Sequence, residues 1–131
     1  MDLLKVDIVS PSGQLVANKA VATLRVPSTK GEITILPGHI DMVSILGTGC
    51  LKLDNETTYV VYKGLMEISG GETVVIAAER TAKVTDLDKQ TVLNSIKAVE
   101  ERLLKEPMDD KEFERASQEY QDHLAELNAL N

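Results

Sequence analysis

A chain of 131 residues can form one ordinary domain, or a small domain with an appendage. It has one Phe, three Tyr, no Trp and no basic patch, which excludes the stacking faces and cationic stripes of a nucleic-acid binder. The net charge of −7 is uneven: residues 1–84 carry 8 basic and 9 acidic side chains, and residues 85–131 carry 6 and 12, an end too acidic for an anionic membrane surface.

The first 84 residues read as short strands separated by turns, the signature of a sandwich or barrel. Leu4, Val6 and Ile8 alternate with Lys5 and Asp7, until Ser10-Pro11-Ser12-Gly13 breaks the run. Ala22, Leu24 and Val26 alternate with Thr23 and Arg25, and Ile33 and Ile35 flank Thr34. Leu36-Pro37-Gly38-His39 has Pro and Gly where a type II turn places them. Further strand-like runs cover 42–46, 50–53, 58–62, 65–69 and 73–78, with Gly47-Thr48-Gly49, Asp54-Asn55 and Gly70-Gly71 as separators, the last as a two-residue hairpin loop. No helical crossover intervenes, so pairing should be mainly antiparallel. A segment this small buries only roughly 60–65 % of its unfolded surface, so a partner surface is a natural complement. Two runs, Tyr59-Val60-Val61-Tyr62 and Val74-Val75-Ile76-Ala77-Ala78, are apolar on both faces. Either they are covered on both sides within the domain, or one face docks on another protein.

The periodicity changes at Thr85, which with Asp88 offers a helix start. Val92, Ile96, Val99 and Leu103 recur at helical spacing, widened by Leu93 and Leu104. Glu106-Pro107-Met108 stops this helix, and Asp109 with Glu112 sets a capping-box spacing for a second, whose stripe is Phe113, Ala116, Tyr120, Leu124 and Leu127. So short a break makes the helices antiparallel neighbours, a hairpin that needs little from the sandwich and could detach.

The chemistry of an enzyme is missing from the pattern. His39 and His123 lie in different units, no spacing resembles a metal site, and no Gly-x-Ser-x-Gly elbow or phosphate loop occurs. Cys50 is alone, excluding an internal disulfide, and reads as a buried structural thiol. Met1-Asp2-Leu3-Leu4-Lys5 lacks the blocks of a signal peptide, and no apolar run approaches the ~18 residues of a membrane span. A soluble cytoplasmic chain without cofactor or metal is expected.

Gly31-Glu32-Ile33-Thr34-Ile35-Leu36-Pro37-Gly38-His39-Ile40 resembles the Gly-Glu-…-Pro-Gly-His loop of the epsilon subunits of bacterial F-type ATP synthases. Val9-Ser10, Gly64, Ser69-Gly70-Gly71 and Asp86-Leu87-Asp88 follow the same family order, and the similarity covers about residues 4–127. The resemblance implies a β-sandwich of about ten strands over 1–84 and a two-helix hairpin over 85–131. It implies a non-catalytic rotor part of the central stalk, peripheral on the cytoplasmic face of the cell membrane, coupling proton or sodium flow through the c-ring to the catalytic head. Its partners would be the γ subunit and the c-ring, with the catalytic β subunits reached through the helices. Glu32 and His39 would face the c-ring, with the Pro37-Gly38 turn bringing the His close to the Glu32 strand, and Met42 would touch γ. The alternative of another class is a free-standing β-sandwich adaptor that presents its hairpin to an unrelated protein.

Members that bind ATP carry Ile/Leu-Asp-x-x-Arg-Ala at the junction. Here Leu87 and Asp88 are followed by Thr91 and Val92 in place of Arg and Ala, and a neutral hydroxyl cannot pair with phosphate as a guanidinium does. No nucleotide site is expected. Residues 109–131 hold two cations, Lys111 and Arg115, against seven acids, so the helices should restrain ATP hydrolysis only weakly.

Overall fold

A computed structural model describes residues 2–131. Seven strands, β1 (Leu4–Ser10), β2 (Gly13–Val21), β3 (Leu24–Ser28), β4 (Gly31–Ile35), β5 (Met42–Leu53), β6 (Glu56–Ser69) and β7 (Thr73–Lys83), form one hydrogen-bonded sheet in the order β2-β1-β7-β6-β5-β3-β4. All pairs are antiparallel except β1 with β7. A single 3₁₀ turn (Val84–Asp86) leads into α1 (Lys89–Lys105) and α2 (Asp110–Leu130).

The sheet folds on itself because its three longest strands belong to two layers. The first halves of β5 and β7 and the second half of β6 pair with one another beside β1 and β2. Their other halves pair beside β3 and β4. The bend passes through Gly47, Lys63-Gly64 and Glu79. Alternation along each strand sends one side chain in two to the shared core, where Leu4, Val6, Ile8, Leu24, Ile76 and Val74 are fully buried. Each such side chain contributes about 1.5–3 kcal/mol of transfer free energy.

The resemblance implied about ten strands, and the sheet has seven, three of them long. These three pass through both layers, so that counted layer by layer the strands make up the ten that the resemblance implied. Gly47-Thr48-Gly49 is accordingly no separator but lies inside β5. A Cβ on Gly49 would stand 2.7 Å from Pro27 Cβ, so the glycine makes room for Pro27 of the neighbouring β3. The Asp54-Asn55 turn does connect β5 to β6 over two residues, both with positive φ (53° and 67°), as a type I′ hairpin demands. The Asp54 carboxylate also accepts the backbone N–H groups of Ala22 and Thr23 at 2.7 and 3.1 Å, tying this hairpin to the β2–β3 corner. The last hairpin has three loop residues rather than two, since Ser69 pairs with Thr73 around Gly70-Gly71-Glu72.

The N-cap of helix α1 lies three residues beyond the Thr85 start. Asp88 is its N-cap, and Thr85 falls in the 3₁₀ turn. Asp109 caps α2, accepting the Glu112 N–H at 2.8 Å. Val92, Ile96, Val99 and Ala116 close the helix pair, whereas Phe113, named in the α2 stripe, is 53 % exposed.

Candidate docking surfaces

Three surfaces are left or made by this fold: a tip, an open apolar face, and a seam beneath the helices. The tip is the Leu36–Asp41 loop. Gly38 N–H donates to Gly71 O at 2.7 Å, and Gly71 N–H donates to the Asp41 carboxylate at 3.2 Å, so the Pro37-Gly38 loop and the Gly70-Gly71 hairpin brace each other. A Cβ on Gly71 would meet Gly38 Cα at 3.2 Å, and its φ of +72° also favours glycine. His39 turns back to Leu36 through its N–H (3.1 Å), and its Nδ1 donates to Ile40 O at 2.8 Å. Leu36 and Ile40 beside it are 53 % and 77 % exposed.

Glu32 is not part of that lip. It lies near the start of β4, paired across from Pro27, and its carboxylate faces Arg25 at 3.8 Å and Lys52 at 3.6 Å. No hydrogen bond or ion pair joins it to His39 among the described residues. Strand β4 runs away from Glu32 toward the tip, so the Pro37-Gly38 turn does not fold the histidine back onto the Glu32 end.

Met42 opens β5 and packs partly against the core. The side chains after it face outward: Val43 and Ile45 are 67 % and 62 % exposed. Register carries this face across the layer, because Ile45 pairs with Leu65, Leu65 with Ala77, and Glu67 with Val75. Val43, Ile45, Leu65 and Val75 thus form an exposed apolar strip. A shallow groove of about 450 Å³ at its end is lined by Ile45, Leu65 and Ala77 together with Thr29, Lys63 and Glu79.

The same outward face of the other layer is covered. Here Thr48, Cys50, Val60, Tyr62 and Arg80 point out, and α2 lies on them. The two doubly apolar runs therefore follow different readings: the 59–62 run is covered on both sides within the chain, and the 74–78 run has one open face. Beneath α2, the Tyr62 hydroxyl donates to a Glu126 carboxylate oxygen, and the other oxygen meets His123 Nδ1 at 2.7 Å. His123 Nε2 lies 3.8 Å from Glu119, which takes a hydrogen bond from Arg102 of α1 at 3.1 Å. The Arg80 guanidinium stacks 3.8 Å from the Tyr62 ring centre and pairs with Asp122 at 3.4 Å. The hairpin thus takes more from the sandwich than its sequence implied. Nothing in the local sequence marks this cluster, whose partners lie 64 or more positions apart for Tyr62–Glu126 and Thr48–Asp122.

Burial, then the Glu126 hydrogen bond and charge, push the Tyr62 phenol well above its usual range, with Arg80 opposing. The folded chain favours the neutral phenol, so this contribution is complete below about pH 10 and is lost as pH rises further. Absorbance titration should therefore show one late phenol in the intact chain that Tyr62→Phe removes. A difference spectrum that titrates at the ordinary phenol value would contradict the buried hydrogen bond. Burial also pushes the Cys50 thiol up, opposed by Lys52; Asn128 donates to its sulfur at 3.9 Å.

At the junction, Asp88 accepts both the Thr91 N–H (2.9 Å) and the Thr91 hydroxyl (2.7 Å), which hold its carboxyl below the usual range. Val92 is buried. Asp88 and Thr91 are engaged with each other in starting α1. No group of three or more His, Cys, Asp or Glu among the described residues is arranged to hold a metal ion.

The sheet is also what relatives share: the family model described as ATP synthase, Delta/Epsilon chain, beta-sandwich domain matches residues 3–83. The chain belongs to that family. It is 30 % identical to the ATP synthase epsilon chain of a Jannaschia species, over 99 % of this chain and 98 % of that one. It is 32 % identical to ATP synthase epsilon chain 2 of Ralstonia nicotianae, over 99 % and 94 %. A chain in the cryo-EM structure of the Euglena gracilis mitochondrial ATP synthase (OSCP/F1/c-ring) superposes with a TM-score of 0.89. That match covers 100 % of this chain and 83 % of the other at 16 % identity, a likeness of fold. As an epsilon-type chain it is a non-catalytic ATP synthase subunit, and no helix among its described residues is long and apolar enough to cross a membrane.

Proposed function

We propose that this chain is a rotor part of the central stalk, coupling ion flow through a c-ring to ATP synthesis in the head. The observation that carries the proposal is the asymmetry of the sandwich: one outward face is covered by the chain's own helix, and the other presents Val43, Ile45, Leu65 and Val75 to solvent. Such a strip is a liability on a free protein and an interface on a docked one. The γ subunit covers it, with Met42 at its margin. The braced tip carrying His39 stands on the polar loops of the c-ring, and Glu32 approaches the ring from the β4 edge. The chain works at the cytoplasmic face of a bacterial membrane without entering it. The free-standing adaptor fits less well, because the hairpin it would present has its inner side engaged with Tyr62 and Cys50.

Two substitutions and two cross-links test this. Ile45→Asp or Leu65→Asp places a charge at the centre of a dry contact, and should lower co-purification with γ at least about a hundredfold by removing several kcal/mol of binding. Folding should change little, because both positions are solvent-exposed in the free chain. Cysteines at His39 and Glu32 should cross-link to a c subunit in assembled membranes. Full recovery of both aspartate variants with the ATP synthase would refute the docking face. Cross-links only to catalytic β subunits would refute the orientation.

A further inference from the structure

Backbone N–H and C=O groups on a strand edge must find a partner or water, and an unguarded edge is a template for another strand. The fold leaves such an edge at the start of β5, the outer strand of the layer that holds β1 and β2. On one side this stretch pairs with β6 without a break, from Met42–Ile68 to Leu46–Gly64. On the other side β3 reaches only as far as the Ser28–Leu46 pair, after which the Thr29 N–H donates to Ile45 O at 3.3 Å. Alternate residues of an antiparallel ladder turn their N–H and C=O to opposite edges. Ile45 O points away from β6, so the N–H and C=O of Val43, two residues earlier in the same ladder, point the same way. No strand lies there among the described residues. In its place is a cleft of about 410 Å³ between Thr29, Lys30 and Ile33 on one side and Met42 and Val43 on the other.

The other edges are guarded. Strand β2 has register shifts, Asn18 at a φ of 51° and Lys19, and β4 is five residues long and carries Glu32. Val43-Ser44-Ile45 has no charge, proline or bulge, and the carboxylate of Asp41 before it is turned to the Gly71 N–H. We propose that γ docks here by strand addition: an extended segment of γ lies along Val43, exchanges hydrogen bonds with its N–H and C=O, and fills the cleft with an apolar side chain. The proposal rests on the docking reading above and adds the geometry of the contact. Continuity selects the occupant, because Val43 and Ile45 belong both to this edge and to the exposed strip, so an added strand widens the sheet that carries the strip. The segment's chemistry follows from its two faces. Side chains turned inward lie over Ile33 and Met42, which are partly buried against the core, and those turned outward continue the strip. The segment is therefore apolar on both faces, with a carboxylate at the end that meets exposed Lys30. Main-chain hydrogen bonds supply affinity in such a contact, and the cleft supplies selectivity.

Amide hydrogen exchange read residue by residue, on the full chain alone and in complex with γ, tests this. Alone, the Val43 N–H should exchange freely while that of Ser44, turned to β6, is protected. In the complex, Val43 protection should rise at least about a hundredfold, as for an amide taken into a ladder. A proline at this position removes a donor that the free chain leaves to solvent, so Val43→Pro keeps the β6 ladder. It should bind γ at least about tenfold more weakly than Val43→Ala, which loses the side chain and keeps the N–H. Equal binding of the two variants would overturn strand addition. So would a Val43 amide that exchanges in the complex as it does in the free chain, an outcome that leaves docking on γ intact. Absence of any γ binding by the parent chain would overturn the docking reading and strand addition with it.

Discussion

Gly64→Ala is expected to destabilise the sandwich more than any other single methyl group added to a glycine of this chain. A Cβ there would stand 2.3 Å from Ala77 O, 2.9 Å from Ala78 Cα and 3.1 Å from Ala77 C. All three are backbone atoms of β7, and β7 is held on its other side by β1 in register from Lys5–Thr73 to Val9–Ala77. Neither strand can step aside without breaking the ladder at the bend that joins the layers. A cost on the order of 3–5 kcal/mol follows, in the range of severe core strain, for a domain whose total stability is about 5–10 kcal/mol. The melting temperature should fall by roughly 12 °C or more, and the chain is expected to be largely insoluble at 37 °C. Gly70→Asn supplies the contrast: that position has φ +63° and open space around its Cβ, and asparagine tolerates the left-handed region. A Gly64→Ala chain that melts within a few degrees of the parent would mean that β7 yields easily at the bend.

Removing everything after Val84 is expected to lower stability and to leave function largely intact. The cut uncovers Val60 (0 % exposed), Tyr62 (5 %) and Cys50 (8 %) in one patch on the face opposite the open strip. Losing the cover over the Val and Tyr side chains removes about 3 kcal/mol or more of apolar burial, so the truncated chain should melt lower and bind a hydrophobic dye. In assembled membranes the result should be mild. Residues 109–131 carry only Lys111 and Arg115 against seven acids, and two of those, Asp122 and Glu126, already face the sheet. ATP hydrolysis should therefore change by less than about threefold, or roughly 0.65 kcal/mol of barrier. A tenfold rise on truncation would show that the helices restrain the motor after all.

What could be read from the sequence was what repeats or punctuates. The alternation of Leu4, Val6 and Ile8, the Asp54-Asn55 turn and the Asp109 cap are local rules, and the structure follows them. Continuity was not legible: a glycine that makes room for a neighbouring strand's side chain, as Gly49 does for Pro27, looks the same in sequence as a glycine that ends a strand. Nor was the seam legible. The pairing of Tyr62 with Glu126 spans 64 positions and depends on how a helix lands on a sheet, so Glu126 looked like any solvated helix acid. At the junction, Leu87, Asp88, Thr91 and Val92 were legible as a pattern, and geometry adds that Thr91 caps with Asp88. Glu32 and His39 stand close in sequence, yet β4 carries them to different ends of its length.

The passage of β5, β6 and β7 through both layers has a mechanical consequence. In a sandwich whose layers touch only through side chains, a twisting load is resisted by van der Waals contact, and the layers slide. Here three covalent backbones bridge the layers, flanked by ladders of hydrogen bonds. On the proposed rotor reading, a torque entering at the braced tip would travel up β6 from Ser69 and cross the bend at Gly64 along the chain itself. Shear between the layers would have to stretch or break those strands, so the sandwich is stiff against twisting of one layer over the other.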